Sequence, residues 1–285
     1  MKSLDNLVSD IYQNLEELSH GKALPIDDKE LDRTVNAIKT VLLEWIKPST
    51  RSNDFTLRMS NIGKPARQLW YEKKDTGSPR FIDGPTQLKF LYGHLLEEIV
   101  LMLVRMAGYT VTDEQKEVKV NGVLGHMDCK INGEVVDVKT ASKFAFRKFS
   151  QGTLSEDDPF GYMAQLSGYE EAEQTSNGGF LVLNKESGEL CLHRPEDLEK
   201  PNASARITHL LSDLNKKEPP ELCYTPVPDG KKGNIKIAKG CTWCKYKHDC
   251  FKTSNDGQGL RSFKYANGVV HFTHIESEPN VMEIL

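Results

Sequence analysis

Apolar residues recur at helical spacing through Leu4, Leu7, Ile11 and Leu15, and again through Leu31, Val35, Ile38 and Leu42, so residues 1–50 read as helical. The pattern breaks between Gly21 and Asp28, where Pro25 interrupts it. A loop rich in Ser, Arg and Asn follows Pro48. The strongest helical pattern covers 86–107, with Leu88, Leu91, Leu95, Ile99, Met102 and Met106 on one side and Gly108 as the C-terminal stop. Over 116–140 the period shortens. Asn121-Gly122 and Asn132-Gly133 each lie between strand-like runs, and Asn-Gly suits the positive φ values of a type I′ hairpin turn. The segment therefore reads as a meander of three strands, 117–120, 123–131 and 134–140. A helix at about 159–174, strands at 179–184 and 189–193, and a helix at 203–216 follow. Residues 217–240, rich in Pro, Gly and Lys, read as a loop, and 263–275, around Asn267-Gly268, as a separate hairpin.

The hairpin register brings chemistry into view. With Asn132-Gly133 as a two-residue turn, Ile131 faces Glu134, Cys129 faces Val136, Asp128 faces Asp137 and His126 faces Lys139. Strand side chains alternate, so the two aspartates, Lys139 and His126 share one face, while Met127, Cys129, Val136 and Val138 share an apolar one. Opposed carboxylates on paired strands repel each other unless something cationic lies between them. Hard divalent ions favour carboxylate oxygen, and Lys139 would polarise a water or phosphate oxygen, which is the equipment of metal-assisted phosphodiester hydrolysis. Periodicity alone equally allows an exposed strand face carrying ordinary charges, and His126 alone reads as a supporting residue rather than a ligand.

Composition narrows the field modestly. The chain has 285 residues, 38% hydrophobic and 27% charged, which suits a folded domain with a substantial core. No apolar run approaches the roughly 18 residues of a membrane span, and the N-terminus lacks the pattern of a secretory signal, so the expectation is a cytoplasmic protein without a membrane partner. A formal charge of −4 disfavours a passive nucleic-acid coat and leaves contact with DNA to local basic patches. Two such patches interleave with aromatics: Arg58, Lys64, Arg67, Lys73 and Lys74 around Trp70 and Tyr71, and Lys143, Arg147 and Lys148 with Phe144 and Phe146. A solvated charged face over core aromatics is the alternative for both. The six cysteines do not form a secreted disulfide framework.

At residues 125–139, GHMDCKINGEVVDVK, the chain resembles the PD-(D/E)XK nuclease superfamily, with Asp128 followed by Asp137-Val138-Lys139. Gly93-His94-Leu95-Leu96-Glu97-Glu98 and Gln165-Leu166-Ser167-Gly168-Tyr169 match two further motifs of its RecB-like exonuclease branch. The likeness covers roughly residues 58–252 and is nearest to the phage-type exonucleases, relatives of the CRISPR-associated and mitochondrial genome-maintenance exonucleases. It implies an α/β, restriction-endonuclease-like core (helix, three-stranded meander, helix, strand), with residues 1–57 as added N-terminal helices and 253–285 as a C-terminal hairpin extension. It also implies a metal site of Asp128, Asp137, the Val138 carbonyl and one group from the long helix. The branch usually places His where Glu97 falls, so Glu97 leads, with Glu98 and His94 as competitors. Gln165 and Tyr169 share a helical face and would point together at the site or at DNA.

Cys241-Thr242-Trp243-Cys244, followed by Cys250, resembles three quarters of the iron–sulfur staple of many relatives, whose fourth cysteine precedes the core. No cysteine precedes Cys129 here. A Cys₃His zinc site using His248, a cluster completed by Cys223, and a motif that binds nothing are the three readings, the last marginally ahead. The expected activity is thus a Mg²⁺- or Mn²⁺-dependent DNA exonuclease acting on DNA ends or single strands in degradation, recombination or repair, working in the host cytoplasm if phage-encoded. A structure-specific endonuclease and a non-catalytic DNA-binding recombination partner are the rivals; a homo-oligomer or a recombination-protein partner fits any of them.

Overall fold

The computed structural model describes residues 2–24, 26–47, 55–75 and 82–284. In chain order the helices are α1 (Leu7–Ser19), α2 (Asp28–Trp45), α3 (Ala66–Lys74), α4 (Gly84–Met106), α5 (Lys143–Ser150), α6 (Tyr162–Glu173) and α7 (Ala203–Leu214). The strands are β1 (Val111–Thr112), β2 (Lys116–Val120), β3 (Val123–Met127), β4 (Cys129–Ile131), β5 (Glu134–Ala141), β6 (Gly179–Asn184), β7 (Leu190–His193), β8 (Val227–Pro228), β9 (Ile235–Lys236), β10 (Arg261–Tyr265), β11 (Gly268–His274) and β12 (Glu283–Ile284). They gather into two compact units, Met1–Gly63 with Gly77–Thr208, and Lys64–Thr76 with His209–Leu285. The Ser-, Arg- and Asn-rich loop after Pro48 lies outside the described residues through position 54.

The first unit is built on a five-stranded sheet of order β1-β4-β5-β6-β7. The β5–β6 pair is parallel and the others are antiparallel. A parallel pair needs a long crossover, and α5 and α6 supply it. Val136 and Val138 of β5 join Leu7 and Ile11 of α1 and Val100, Leu101 and Val104 of α4 in the main core. On the other side of the sheet Phe149 of α5 meets Phe180 of β6 edge-on, with ring centroids 5.5 Å apart. The chain is a mixed α/β fold, and its order of long helix, strands, helix and strand is the order expected of the core.

Local signals explain the starts and stops. Asp83 caps α4 through its side chain, which accepts from the Thr86 amide at 2.7 Å, and Pro85 sits in the first turn. Gly108, at φ 82°, turns the chain out of that helix. Asn121-Gly122 and Asn132-Gly133 all have positive φ, as a type I′ turn demands.

Four expectations change. The buried stripe of α4 runs through Leu91, Val100, Leu101, Val104 and Met106, while Leu88 and Ile99 are exposed, because α4 is covered by α1, α2 and the sheet rather than by one partner. On α2, Leu31, Val35 and Leu42 are exposed and Thr34 is the buried position. The meander is split at Asp128: β4 pairs with β5, but β3 leaves to pair with β2 in a separate two-stranded ribbon. His126 consequently lies opposite Glu117, exposed, and not opposite Lys139. Lastly, α3 and α5 are helices where the pattern predicts none, since runs of 9 and 8 residues give periodicity little to work on.

The second unit carries a five-stranded antiparallel sheet of order β12-β10-β11-β9-β8. Its centre is the hairpin read at Asn267-Gly268, and two short strands from the predicted 217–240 loop extend it. Phe263 and Phe272, 5.7 Å apart and fully buried, hold its core.

Candidate active site

The break in the meander is what builds the site. Cys129 is the last residue of the β4–β5 ladder, and Asp128 lies just outside it. Freed from pairing, the Asp128 carboxylate reaches across and accepts from the Val138 amide at 2.8 Å. Asp137 and Lys139, alternating with the core valines along β5, form an ion pair with Lys139 Nζ 2.6 Å from Asp137 Oδ2. Asp137 is fully buried, and neither of its oxygens has a hydrogen bond of ordinary geometry. A buried carboxylate is costly to hold, and here the Lys139 ammonium offsets that cost.

Glu97 of α4 completes the group. Burial lifts its carboxyl from the ordinary 4.5 to about 7, and the negative charges of Glu98 and Asp137 add to the lift. Asp128 is raised well above the carboxylate range, chiefly by burial and then by Asp137. Burial alone would lower Lys139, but Asp137 and Asp128 outweigh it and hold the ammonium charged. The three helix candidates separate here. Glu97 shares the field of Asp128, Asp137 and Lys139, Glu98 feels Glu114, Arg105 and Arg33, and His94 is exposed.

Gln115 was not foreseen from the sequence. Its side chain donates to Glu97 at 2.9 Å and its backbone N–H to the Asp128 carbonyl at 3.0 Å, so one residue ties α4 to the meander break. It does so from the left-handed region (φ 52°), which no local sequence signal announced. Gln165 donates to the Tyr169 hydroxyl at 2.8 Å, and burial first, then Asp137, raises that phenol. Tyr169 is fully buried against Gly125, where a Cβ would lie 2.9 Å from the ring and 2.5 Å from Met59. Tyr162, also unforeseen, lies with its ring centroid 5.2 Å from Lys139 Nζ.

Among the described residues no three His, Cys, Asp or Glu side chains converge closely enough to hold an ion as they stand. The donors nonetheless suit a hard divalent ion: all are oxygens, one belongs to a fully buried carboxylate paired with Lys139, and two carboxyls are raised by burial and mutual repulsion. Asp128, Asp137, Glu97 and the Val138 carbonyl would hold it.

The basic residues divide. Lys143 and Arg147 are exposed on α5. Lys148 is bound to Asp157 at 2.7 Å, and Phe146 is buried while Phe144 is open. In the second unit Arg67 donates to Cys250 Sγ at 3.0 Å and to the Pro220 carbonyl. Lys73 donates to the Leu214 carbonyl at 3.0 Å, at the end of α7. Their donors are committed inside the unit. Cys223, Cys241, Cys244 and Cys250 line one small cavity there together with Arg67 and Tyr71. His248 is not among its lining residues and packs edge-on against His271, 5.8 Å away.

No family model matches the chain, and no curated protein matches it. Among the described residues no helix is long and apolar enough to cross a membrane. Solved structures that are similar in part include two exonucleases. A phage-related exonuclease from Haemophilus somnus 129PT is 11% identical, with a TM-score of 0.39, over 56% of this chain and 93% of its own. An alkaline exonuclease from Laribacter hongkongensis is 13% identical, with a TM-score of 0.39, over 60% of this chain and 94% of its own. At these scores the likeness adds no weight to the site, whose reading rests on its own side chains.

Proposed function

We propose that this chain is a divalent-metal-dependent deoxyribonuclease, an exonuclease that hydrolyses phosphodiester bonds at DNA ends or in single strands. The observation that carries the reading is the cluster of Asp128, Asp137, Glu97 and Lys139, in which the fully buried Asp137 carboxylate is paired with Lys139 at 2.6 Å. Hydrolysis requires a water oxygen to add to phosphorus while the bond to the leaving oxygen breaks, with one proton lost by the water and one gained by the leaving group. A Mg²⁺ or Mn²⁺ ion held by the carboxylates would polarise the phosphoryl oxygen and lower the pKa of a bound water.

The protein's own groups supply the rest. Lys139 stays protonated beside Asp137, so it is a donor for the charge that develops on the phosphoryl oxygens or for orienting the attacking water. Asp128 is fixed by the Val138 amide, and Glu97 by Gln115, so both carboxyls are held in place before any ligand arrives. Gln165 and Tyr169 brace the opposite side through their shared hydrogen bond. Lys143 and Arg147, exposed on the helix that follows β5, are the cations offered to DNA phosphates.

The test is incubation of the purified protein with a linear single strand, a linear duplex and a covalently closed circle, each with Mg²⁺, Mn²⁺ or EDTA. Asp137→Asn, which keeps the side-chain volume, runs beside it. Metal-dependent loss of linear DNA with the circle spared, absent in the variant, is expected. Cutting of the circle would make it an endonuclease, and inertness toward every substrate would leave a binding role.

A further inference from the structure

We infer that Phe160 is a base-stacking platform for single-stranded DNA beside Lys139; this rests on the nuclease reading above. Phe160 is 63% exposed. A lone exposed Phe says little, because much of any protein surface is apolar. Three features separate this one from an ordinary surface residue.

Its backbone is fixed. The Asp158 carboxylate accepts from the Gly161 amide at 2.9 Å and the Met163 amide at 2.8 Å, clamping the turn that starts α6. Gly161 sits at φ 76°, and its backbone passes so close to Gly63 that a Cβ on Gly63 would lie 2.2 Å from the Gly161 Cα. Neither position accepts a side chain without moving, so the turn has one shape.

Its ring is already half of a stack. Phe160 lies on Tyr162 with centroids 5.4 Å apart and planes 28° from parallel. Tyr162 is supported in turn by Phe149 at 6.0 Å and Phe180 at 6.4 Å. Phe160 thus ends an aromatic row that begins in the core and opens to solvent.

The row also touches the chemistry. Lys139 Nζ is 5.2 Å from the centre of the Tyr162 ring, so Tyr162 touches both Lys139 and Phe160. The neighbouring α5, whose Phe149 supports Tyr162, exposes Lys143 and Arg147, neither in an ion pair among the described residues. Cations for phosphates on a neighbouring helix and an open aromatic face are the two parts of a sequence-tolerant single-strand site, since every base has a π-face. A duplex keeps its bases stacked on one another, so the platform favours unpaired nucleotides.

The experiment measures the affinity of fluorescein-labelled oligothymidylate, in Mn²⁺, for the Asp137→Asn protein carrying Phe, Ala, Leu or Trp at position 160. Stacking on an aromatic contributes about 1–3 kcal/mol per base, so Phe160→Ala should weaken binding about 5- to 140-fold. Phe160→Trp should restore it, and Phe160→Leu, which keeps apolar bulk without a π-face, should not. An oligonucleotide bearing one abasic residue, moved along the strand, should lose affinity at one position when Phe160 is present and at none in the Phe160→Ala variant. Equal affinities for Phe, Ala and Leu, or rescue by Leu, would overturn the platform. Wild-type protein that cuts linear duplex but neither binds nor cuts single strands would also overturn the platform, whereas inertness toward every DNA substrate would instead overturn the nuclease reading beneath it.

Discussion

Two places in the molecule gather ionisable groups of one kind, and they are compensated differently. In the carboxylate site Asp128, Asp137 and Glu97 share a field with Lys139, a buried cation whose charge the acids themselves preserve. In the cysteine cavity burial pushes the thiols up, Cys241 to about 12 and Cys223 and Cys244 above their usual range. Burial raises these thiols as it raises Glu97 and Asp128, so either site would release protons on taking up an ion. Arg67 points its guanidinium Nε at Cys250 Sγ. The first site stands on paired strands and a 23-residue helix, whereas the second is assembled from short turns and 3₁₀ helix. Clustering alone therefore says little about ion binding; what distinguishes the sites is the donor set, carboxylate oxygens beside a charged lysine in one and thiol sulfur in the other.

The sharpest way to break that contrast is Asp137→Asn. It removes the carboxylate charge at constant volume, and cleavage should fall about 1000-fold or more while the far-UV spectrum is kept. Retained activity would end the assignment. Lys139→Met should reduce turnover by about 100-fold, the scale for removing one donor from a developing charge, and should cost about 3 kcal/mol of stability by stranding Asp137. Turnover unchanged in single-turnover kinetics would make Lys139 purely structural. Gly125→Ala, by forcing a Cβ to within 2.5 Å of Met59, should destabilise by about 1–3 kcal/mol in urea titration, and a shift near zero would show that Met59 and Tyr169 yield.

The pH dependence is a gentler probe. Folded Glu97 holds its proton up to about 7, but the unfolded chain releases it near 4.5. The stability this gives chelated protein is complete below about 4.5 and is lost as pH rises to about 7, so its melting point should fall across that window. A bound divalent ion takes the proton's place, so Mn²⁺ should raise the melting point more at about pH 8 than at about pH 5.5. Equal shifts would detach the carboxyls from the ion. The smallest effect is expected at the cavity. Cys223→Ser should move the melting point by only a few degrees, and the purified protein should hold less than one equivalent of zinc or iron. A full equivalent, lost in that variant, would make the two sites alike after all.

Much of the core was legible because its signals are local. An Asn-Gly pair imposes its own turn, a capped apolar run announces its own helix, and alternation along β5 separates Val136 and Val138 from Asp137 and Lys139 whatever the rest of the chain does. Alternation put Asp137 and Lys139 on one face, while Asp128 was set opposite them by the hairpin register and lies just outside the β4–β5 ladder. Glu97 led Glu98 and His94 through the resemblance alone, because local sequence does not separate residues so close together on one helix.

The remainder belonged to long-range packing. The meander parts at Asp128, turning His126 away and letting the carboxylate reach the Val138 amide, where Gly125 packs against Tyr169 from a helix much further along the chain. Gln115, Tyr162 and Phe160 acquire their positions from neighbours distant in sequence, and Arg67 and Lys73, which read as DNA-facing cations, find carbonyl and sulfur partners only when the second unit folds. The sequence by itself determined which residues could act, through backbone preferences that operate over a few positions. Which of them meet, and with what charge, only the tertiary structure decided, because burial and the fields of distant groups set both.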